Sequence, residues 1–148
     1  MNLKVAIIPF GQLAYVLPGL MPYFEKSEKW SKGRALVDDI IGFIYSGRMQ
    51  LWAVYDEEDQ RLYGYTITEI KDYPQCKMFV VQYCAAEPHC MKLVEDEMFF
   101  ILESAARSAG CAGIEFFGRP GWEPHVKQHG YTSKTVVYEK YFDEVNHG

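Results

Sequence analysis

Apolar and polar positions follow two different periods along the chain, and the period changes several times from one end to the other. Apolar runs that are continuous or occupy every second position are typical of strands, and they cover Leu3–Phe10, Gln50–Tyr55, Arg61–Ile70, Lys77–Ala85, Cys111–Phe117 and Tyr131–Phe142. Apolar residues three and four apart indicate helices, and they cover Gln12–Lys26, Ser31–Ser46 and Glu87–Gly110, with a short helix inside Gly118–Gly130. The predicted order is β-α-α-β-β-β-α-β-α-β, which favours an α/β (α+β) fold on a mixed sheet.

Two features of this order constrain the sheet. Pro18 and Pro22 lie inside the first helical pattern and predict a kinked or split helix. A long helix separates Lys77–Ala85 from Cys111–Phe117, so these two strands are predicted to run parallel through a right-handed crossover. No repeat or linker interrupts the pattern, and residues 1–148 are predicted to form a single domain.

Charge and composition argue against several classes of partner. The 148 residues carry a formal net charge of −5, and the basic residues are scattered rather than clustered. A nucleic-acid-binding surface needs a basic stripe, so we expect no nucleic-acid partner. The sequence contains no run of 18 apolar residues and no signal-peptide pattern, so we expect no membrane association. The predicted location is a cytoplasm, either the protein's own cell or a host's.

The four cysteines indicate reduced thiols rather than a disulfide or zinc framework. No two of them have C-x-x-C spacing, and their neighbours are mostly apolar. His125 and His129 are four residues apart and share one helix face, where they could bind a metal or serve as surface side chains. The sequence alone gives no specific reason to choose a metal site.

The last third of the chain resembles a known family. The order of elements is similar to that of GNAT (N-acetyltransferase) domains, and the block GRPGWEPHVKQHGYTSKTVVYEKYF, from Gly118 to Phe142, resembles the C-terminal part of GNAT-like proteins encoded by tailed bacteriophages and prophages. The resemblance implies the GNAT fold and transfer of an acyl group from acetyl-CoA to a small-molecule or protein amine. It equally implies the alternative of a non-catalytic phage accessory or virion component that binds a phage or host protein.

The resemblance also implies where the acyl donor would bind. GNAT enzymes hold the pyrophosphate of CoA on a glycine-rich turn before the long helix, because glycine lets backbone N–H groups approach the phosphates. The matching segment here, Ala85–Lys92, contains no glycine, and Glu87 and Pro88 disfavour a phosphate there. His89 and Lys92 could compensate as cationic or hydrogen-bonding groups, or could be solvated residues at the helix start.

The resemblance implies a proton donor as well. Many GNAT enzymes carry a tyrosine four residues before the final Gly-aromatic pair, and that position is Val126 here. His125 is adjacent and could donate a proton at neutral pH.

The remaining site residues follow from the chemistry of acyl transfer. A backbone N–H near Gln82, Tyr83 and Cys84 would polarise the acyl carbonyl. A carboxylate must take a proton from the amine, and Glu69 and Glu115 are the candidates, each of which could otherwise be an ordinary outward-facing strand residue. Cys84 is interpreted as a packing residue rather than a nucleophile, because the sequence gives it no positioned base.

Overall fold

The computed structural model describes residues 1–143, and its elements follow the predicted order as far as the last helix. The strands are β1 (Leu3–Ile7), β2 (Met49–Asp56), β3 (Leu62–Asp72), β4 (Lys77–Ala86) and β5 (Gly113–Phe116). The helices are α1 (Leu13–Trp30), α2 (Val37–Tyr45), α3 (Cys90–Ser108) and α4 (Glu123–Gln128), with 3₁₀ turns at Phe10–Gln12 and Pro120–Trp122. None of the helices within residues 1–143 is both long and apolar enough to cross a membrane.

One five-stranded sheet, in the order β1-β2-β3-β4-β5, forms the centre of the molecule. Strands β1 to β4 pair antiparallel in sequence, whereas β5 lies parallel to β4, which confirms the predicted parallel pairing. Apolar residues cover both faces of the sheet. One core packs α3 against Trp52, Phe79 and Val81, and the other packs α1 and α2 against Tyr65 and Ile67.

Helix α1 is one element rather than a split one. Pro18 and Pro22 both lie on its exposed side, so the carbonyls that lose a partner there can be hydrated. The opposite side buries Leu17, Leu20 and Phe24 against the sheet, and this packing outweighs the two missing hydrogen bonds.

Two predicted helix starts were too early. Ser31 does not begin α2, because its Oγ donates to the carbonyl of Glu28 (2.7 Å) and ends α1. Helix α2 begins at Val37, and the Asp39 carboxylate accepts the N–H of Leu36 (2.9 Å). Helix α3 begins at Cys90 because His89 has a left-handed backbone (φ 76°), which interrupts any helix that starts at Glu87.

The predicted final strand, Tyr131–Phe142, was wrong: these residues form no strand. Alternation shows which sides a strand would present but does not supply a neighbouring strand to pair with. Residues 132–140 are exposed, and the segment is tied to the α1–α2 connection instead, where Glu139 pairs with Lys32 (2.9 Å) and Arg34 (2.8 Å). These two cations lower the pKa of the Glu139 carboxyl to about 2.

Gly64 lies where the backbones of β3 and β4 approach each other too closely for a side chain. A Cβ at this position would lie 2.7 Å from the Cα of Ala86 and 2.8 Å from its Cβ. We therefore expect Gly64→Ala to lower the free energy of unfolding by about 1–3 kcal/mol, the usual effect of overpacking. Gly11→Ala is the matched control, because a Cβ at Gly11 meets nothing within 4 Å. Urea unfolding of both variants measures the difference, and equal stability of the two would contradict this packing.

Candidate functional site

Strands β4 and β5 part at their carboxyl ends. The pairing ends at Val81 and Phe116, and Phe117 N donates to Val81 O (3.1 Å) just beyond it. Strand β4 then continues to Ala86, whereas the chain after β5 turns away into the Pro120–Trp122 turn and α4. The two parallel strands therefore leave a wedge between them.

A pocket of about 270 Å³ occupies this wedge. Its walls come from the end of β4, the β4–α3 connection, and the segment between β5 and α4. The pocket-lining side chains that carry chemistry are Cys84, Glu87, His89, Arg119, Trp122 and His125. Three candidates from the sequence, Cys84, His89 and His125, thus share one cavity.

The edge of β4 offers backbone donors to the pocket. A bulge in β4 between its pairings with Ile67 and Thr68 leaves Gln82 as the extra residue. Glu87 N donates to Tyr63 O (2.8 Å), so by strand alternation the N–H groups of Cys84 and Ala86 point away from β3, towards the side that β5 has left. Such N–H groups can polarise a carbonyl oxygen that lies in the wedge.

The thiol of Cys84 is unsuited to nucleophilic attack. Burial raises its pKa to about 11, partly offset by the hydrogen bond with Thr66 (3.4 Å). A thiol with this pKa is protonated at neutral pH, and only the thiolate is a good nucleophile. The structure supports the interpretation of Cys84 as a packing residue.

The amino end of α3 forms one end of the pocket. The first N–H groups of a helix have no partner within the helix, and α3 has no side-chain cap. His89 lines the pocket directly before the helix, whereas Lys92 is exposed on the first turn and does not line it. The carboxylate of Glu87 accepts a hydrogen bond from the Tyr23 hydroxyl (2.9 Å), which fixes the position of its negative charge.

His125 forms a carboxylate–imidazole pair at the pocket wall. Its Nδ1 lies 2.5 Å from Oε2 of Glu95 on α3, and its ring packs edge-on to Trp122. A carboxylate on one ring nitrogen fixes the tautomer and orients the other nitrogen. Val126, where the family resemblance implies a tyrosine, packs against the α3 core instead.

His129 is not part of this pocket. Its Nε2 lies 3.2 Å from Oδ1 of Asp96, without the geometry of a hydrogen bond, and its ring stacks on Phe99 at 4.3 Å between centroids. His125 in α4 and His129 directly after it therefore face different carboxylates on α3.

A second, larger groove of about 1230 Å³ lies along β5, between the sheet and residues 131–137. Gln82 and Tyr83 line it from β4, and Glu115 lines it from β5. Arg119 and Trp122 line both the groove and the pocket, so they form the wall between the two cavities.

Glu69 lines neither cavity but is held by two donors, one of which, Gln82, lines the groove. It is 9% exposed, and it accepts hydrogen bonds from Gln82 Nε2 (2.6 Å) and Arg48 Nε (3.3 Å). Burial, together with the negative charge of Glu69, raises the pKa of the neighbouring Tyr83 phenol. Glu69 and Gln82, two residues predicted for different roles, are thus brought into direct contact.

Glu115 lies opposite Glu69 across β4, because both residues pair with Val80. A hydrogen bond to Glu115 raises the pKa of the Tyr73 phenol at the surface. Glu115 is less buried than Glu69.

Arg119, Arg48 and Glu95 were not predicted from the sequence. Arg119 lies in the G-R-x-G-W block that carries the family resemblance, so the motif was a usable signal for it. Nothing in the spacing of Arg48 or Glu95 indicates contact with Glu69 or His125, because these pairs lie 21 and 30 residues apart.

Solved acetyltransferase structures superpose on nearly the whole chain. Glucosamine-6-phosphate N-acetyltransferase from Arabidopsis thaliana is 13% identical, with a TM-score of 0.67 over 97% of this chain and 100% of that one. A putative acetyl transferase from Pyrococcus furiosus is 13% identical, with a TM-score of 0.71 over 95% and 100%. A predicted acetyltransferase from Clostridium acetobutylicum, solved with acetyl-CoA, is 12% identical, with a TM-score of 0.67 over 94% and 96%.

The chain has the GNAT fold. This conclusion rests on the similarity of structure, because identities of 12–13% show the fold alone. No protein-family model matches the chain, and no curated protein sequence matches it either.

The residues of the wedge fit part of an acyl-CoA molecule. The strand edge at Cys84 and Ala86 can bind the amide arm and thioester of such a donor. The phosphate end would meet helix N–H groups and His89 in place of a glycine-rich turn.

Proposed function

We propose that the protein is an N-acyltransferase that transfers an acyl group from acetyl-CoA or a related thioester to an amine. The observation that carries the proposal is the pair of cavities that meet at Arg119 and Trp122. A two-substrate transfer needs a donor site and an acceptor site that share a wall where the atoms react. The wedge supports the first site, and the groove along β5 supports the second.

The chain's own groups have distinct tasks in this proposal. The donor supplies the acyl group as a thioester. The N–H of Cys84 binds the acyl carbonyl oxygen and stabilises the negative charge that develops on it. Glu69, held by Gln82 and Arg48, takes the proton from the amine directly or through one water.

His125 completes the proton transfers. Its imidazolium, oriented by Glu95 on Nδ1, donates a proton from Nε2 to the departing thiolate. The side chain thus takes the role that a tyrosine has in the family that the sequence resembles. The proposed acceptor is an amine that enters along β5, and the proposed location is a cytoplasm.

Acetyl-CoA is expected to stabilise the folded protein. A ligand at about 100 times its Kd raises the free energy of unfolding by about 2.7 kcal/mol, which thermal unfolding with and without the ligand measures. Gly121→Trp places a bulky side chain at the pocket wall, where a Cβ meets nothing within 4 Å, and should reduce the shift. Gly11→Trp is the matched control, because Gly11 is also the middle residue of a 3₁₀ turn with open space beside it.

The absence of any shift at millimolar acetyl-CoA would overturn the proposal. The glycine-free segment Ala85–Lys92 favours the alternative of a non-catalytic binding protein, for example a phage accessory or virion component. That alternative predicts a stable protein partner and no acyl transfer to any amine, so co-purification and a free-thiol release assay separate the two.

A further inference from the structure

Arg119 has a charge that no acidic group of the described chain neutralises. None of the ion pairs formed within residues 1–143 includes it. Its guanidinium instead stacks over the ring of Trp30, with Cζ 4.0 Å from the ring centroid. Stacking of this kind fixes the plane of the guanidinium and leaves its N–H edge free for a ligand.

The position of Arg119 distinguishes two possible ligands. It lines the groove beside Gln82 and Tyr83 as well as the pocket, whereas Pro88 and His89 line only the pocket. Arg119 is therefore on the side of the pocket that opens to the amine groove, and the helix end, where phosphates are favoured, is bounded by Pro88 and His89. An anion bound to Arg119 would therefore lie near the reacting carbonyl rather than near the phosphates.

We propose that Arg119 binds a carboxylate at the end of the transferred acyl group, so that the preferred donor is a dicarboxylic thioester of the malonyl or succinyl type. A guanidinium presents two parallel N–H groups that match the two oxygens of a carboxylate. This inference rests on the proposed function, because it assigns the acyl end of the donor to the wedge.

The groove makes the amine substrate a poorer source of this carboxylate. Glu103, Glu115 and Glu123 line the groove, but so do Arg107, Lys127 and Lys134, and these give a carboxylate on the amine other cations to pair with. In the pocket, the lining carboxylate of Glu87 is hydrogen-bonded to the Tyr23 hydroxyl, and Cys84 and Trp122 carry no charge at neutral pH. Among the described residues that line the pocket, Arg119 is the single arginine or lysine, so a carboxylate on the donor would pair with it. The donor is therefore the better match for the free guanidinium.

Calorimetric titration of the full chain with CoA, acetyl-CoA, malonyl-CoA and succinyl-CoA tests the proposal. We expect a dicarboxylic thioester to bind about tenfold more tightly than acetyl-CoA, as is typical when a hydrogen bond to a charged group is gained. Arg119→Gln should abolish this preference, so that the dicarboxylic thioesters lose about tenfold more affinity than CoA or acetyl-CoA does. Arg119→Lys should keep only part of it, because an ammonium cannot bind a carboxylate through a rigid fork.

Arg61→Gln is the matched control, because Arg61 also stacks on an aromatic ring, that of Tyr63, and lines neither cavity. Thermal unfolding of the unliganded variants shows whether loss of the Trp30 contact affects folding. Binding of all thioesters with equal affinity would overturn the inference. A loss of affinity in Arg119→Gln that is equal for CoA and every thioester would also overturn it, because Arg119 would then bind phosphate. Failure of every probe to bind would overturn the proposed function itself.

Discussion

His125→Gln is expected to lower kcat by about 10²–10⁴-fold, the usual contribution of a positioned proton donor. Glutamine can still donate a hydrogen bond to Glu95, so the wall of the pocket is kept, but its amide cannot deliver a proton to a thiolate. Affinity for acetyl-CoA should change little, because the proposed task of His125 begins only when the C–S bond breaks. Steady-state kinetics and titration with acetyl-CoA measure the two effects separately.

His129→Gln is the matched control for this experiment. His129 directly follows α4, four residues after His125, and also faces a carboxylate of α3, but it does not line the pocket. A similar loss of kcat in both variants would show that His125 only supports the packing of α4.

The sequence predicted the elements of the sheet well because their packing follows from local patterns. A strand buried on both faces, such as Met49–Asp56, is a nearly continuous apolar run, and a helix that covers the sheet shows its apolar stripe directly. The parallel pairing of β4 and β5 followed from the long helix between them, since a crossover returns the chain in the same direction. The wedge that contains the pocket lies where this parallel pairing ends.

The tail could not be predicted in this way. Tyr131–Phe142 alternates as a strand does, yet Val136, Val137 and Tyr138 are exposed and Glu139 pairs with Lys32 and Arg34. A strand requires a partner edge as well as a pattern, and alternation contains no information about the partner.

The candidate site, too, could be predicted only in part from the sequence. Cys84, His89 and His125 meet in one pocket. The sequence could identify them as candidates because the elements that carry them were predicted in the right order. The side chains that orient these candidates could not be predicted, because contacts such as that of His125 with Glu95 depend on how α4 lies on α3. Lys92, predicted beside the donor, is turned to solvent because α3 begins three residues later than Glu87.

Glu69→Gln is expected to lower kcat/KM by about 10²–10⁴-fold at neutral pH, because an amide cannot take a proton from the amine. The substitution keeps the size of the side chain and an oxygen that can accept the hydrogen bond from Gln82 Nε2. Glu115→Gln is the matched control, because Glu115 is the other candidate base and pairs with the same residue of β4 from the other side. Glu115 is less buried than Glu69 and contacts Tyr73 at the surface. Glu115→Gln should leave the rate almost unchanged.

The pH dependence separates a base from a structural role for Glu69. An amine that has already lost its proton needs no base, so the rate of Glu69→Gln should rise with pH and approach that of the wild type as the amine becomes neutral. Loss of a structural contact, by contrast, would lower the rate by the same factor at every pH and reduce the free energy of unfolding. A pH-independent loss in Glu69→Gln, or a larger loss in Glu115→Gln, would therefore transfer the role of base away from Glu69.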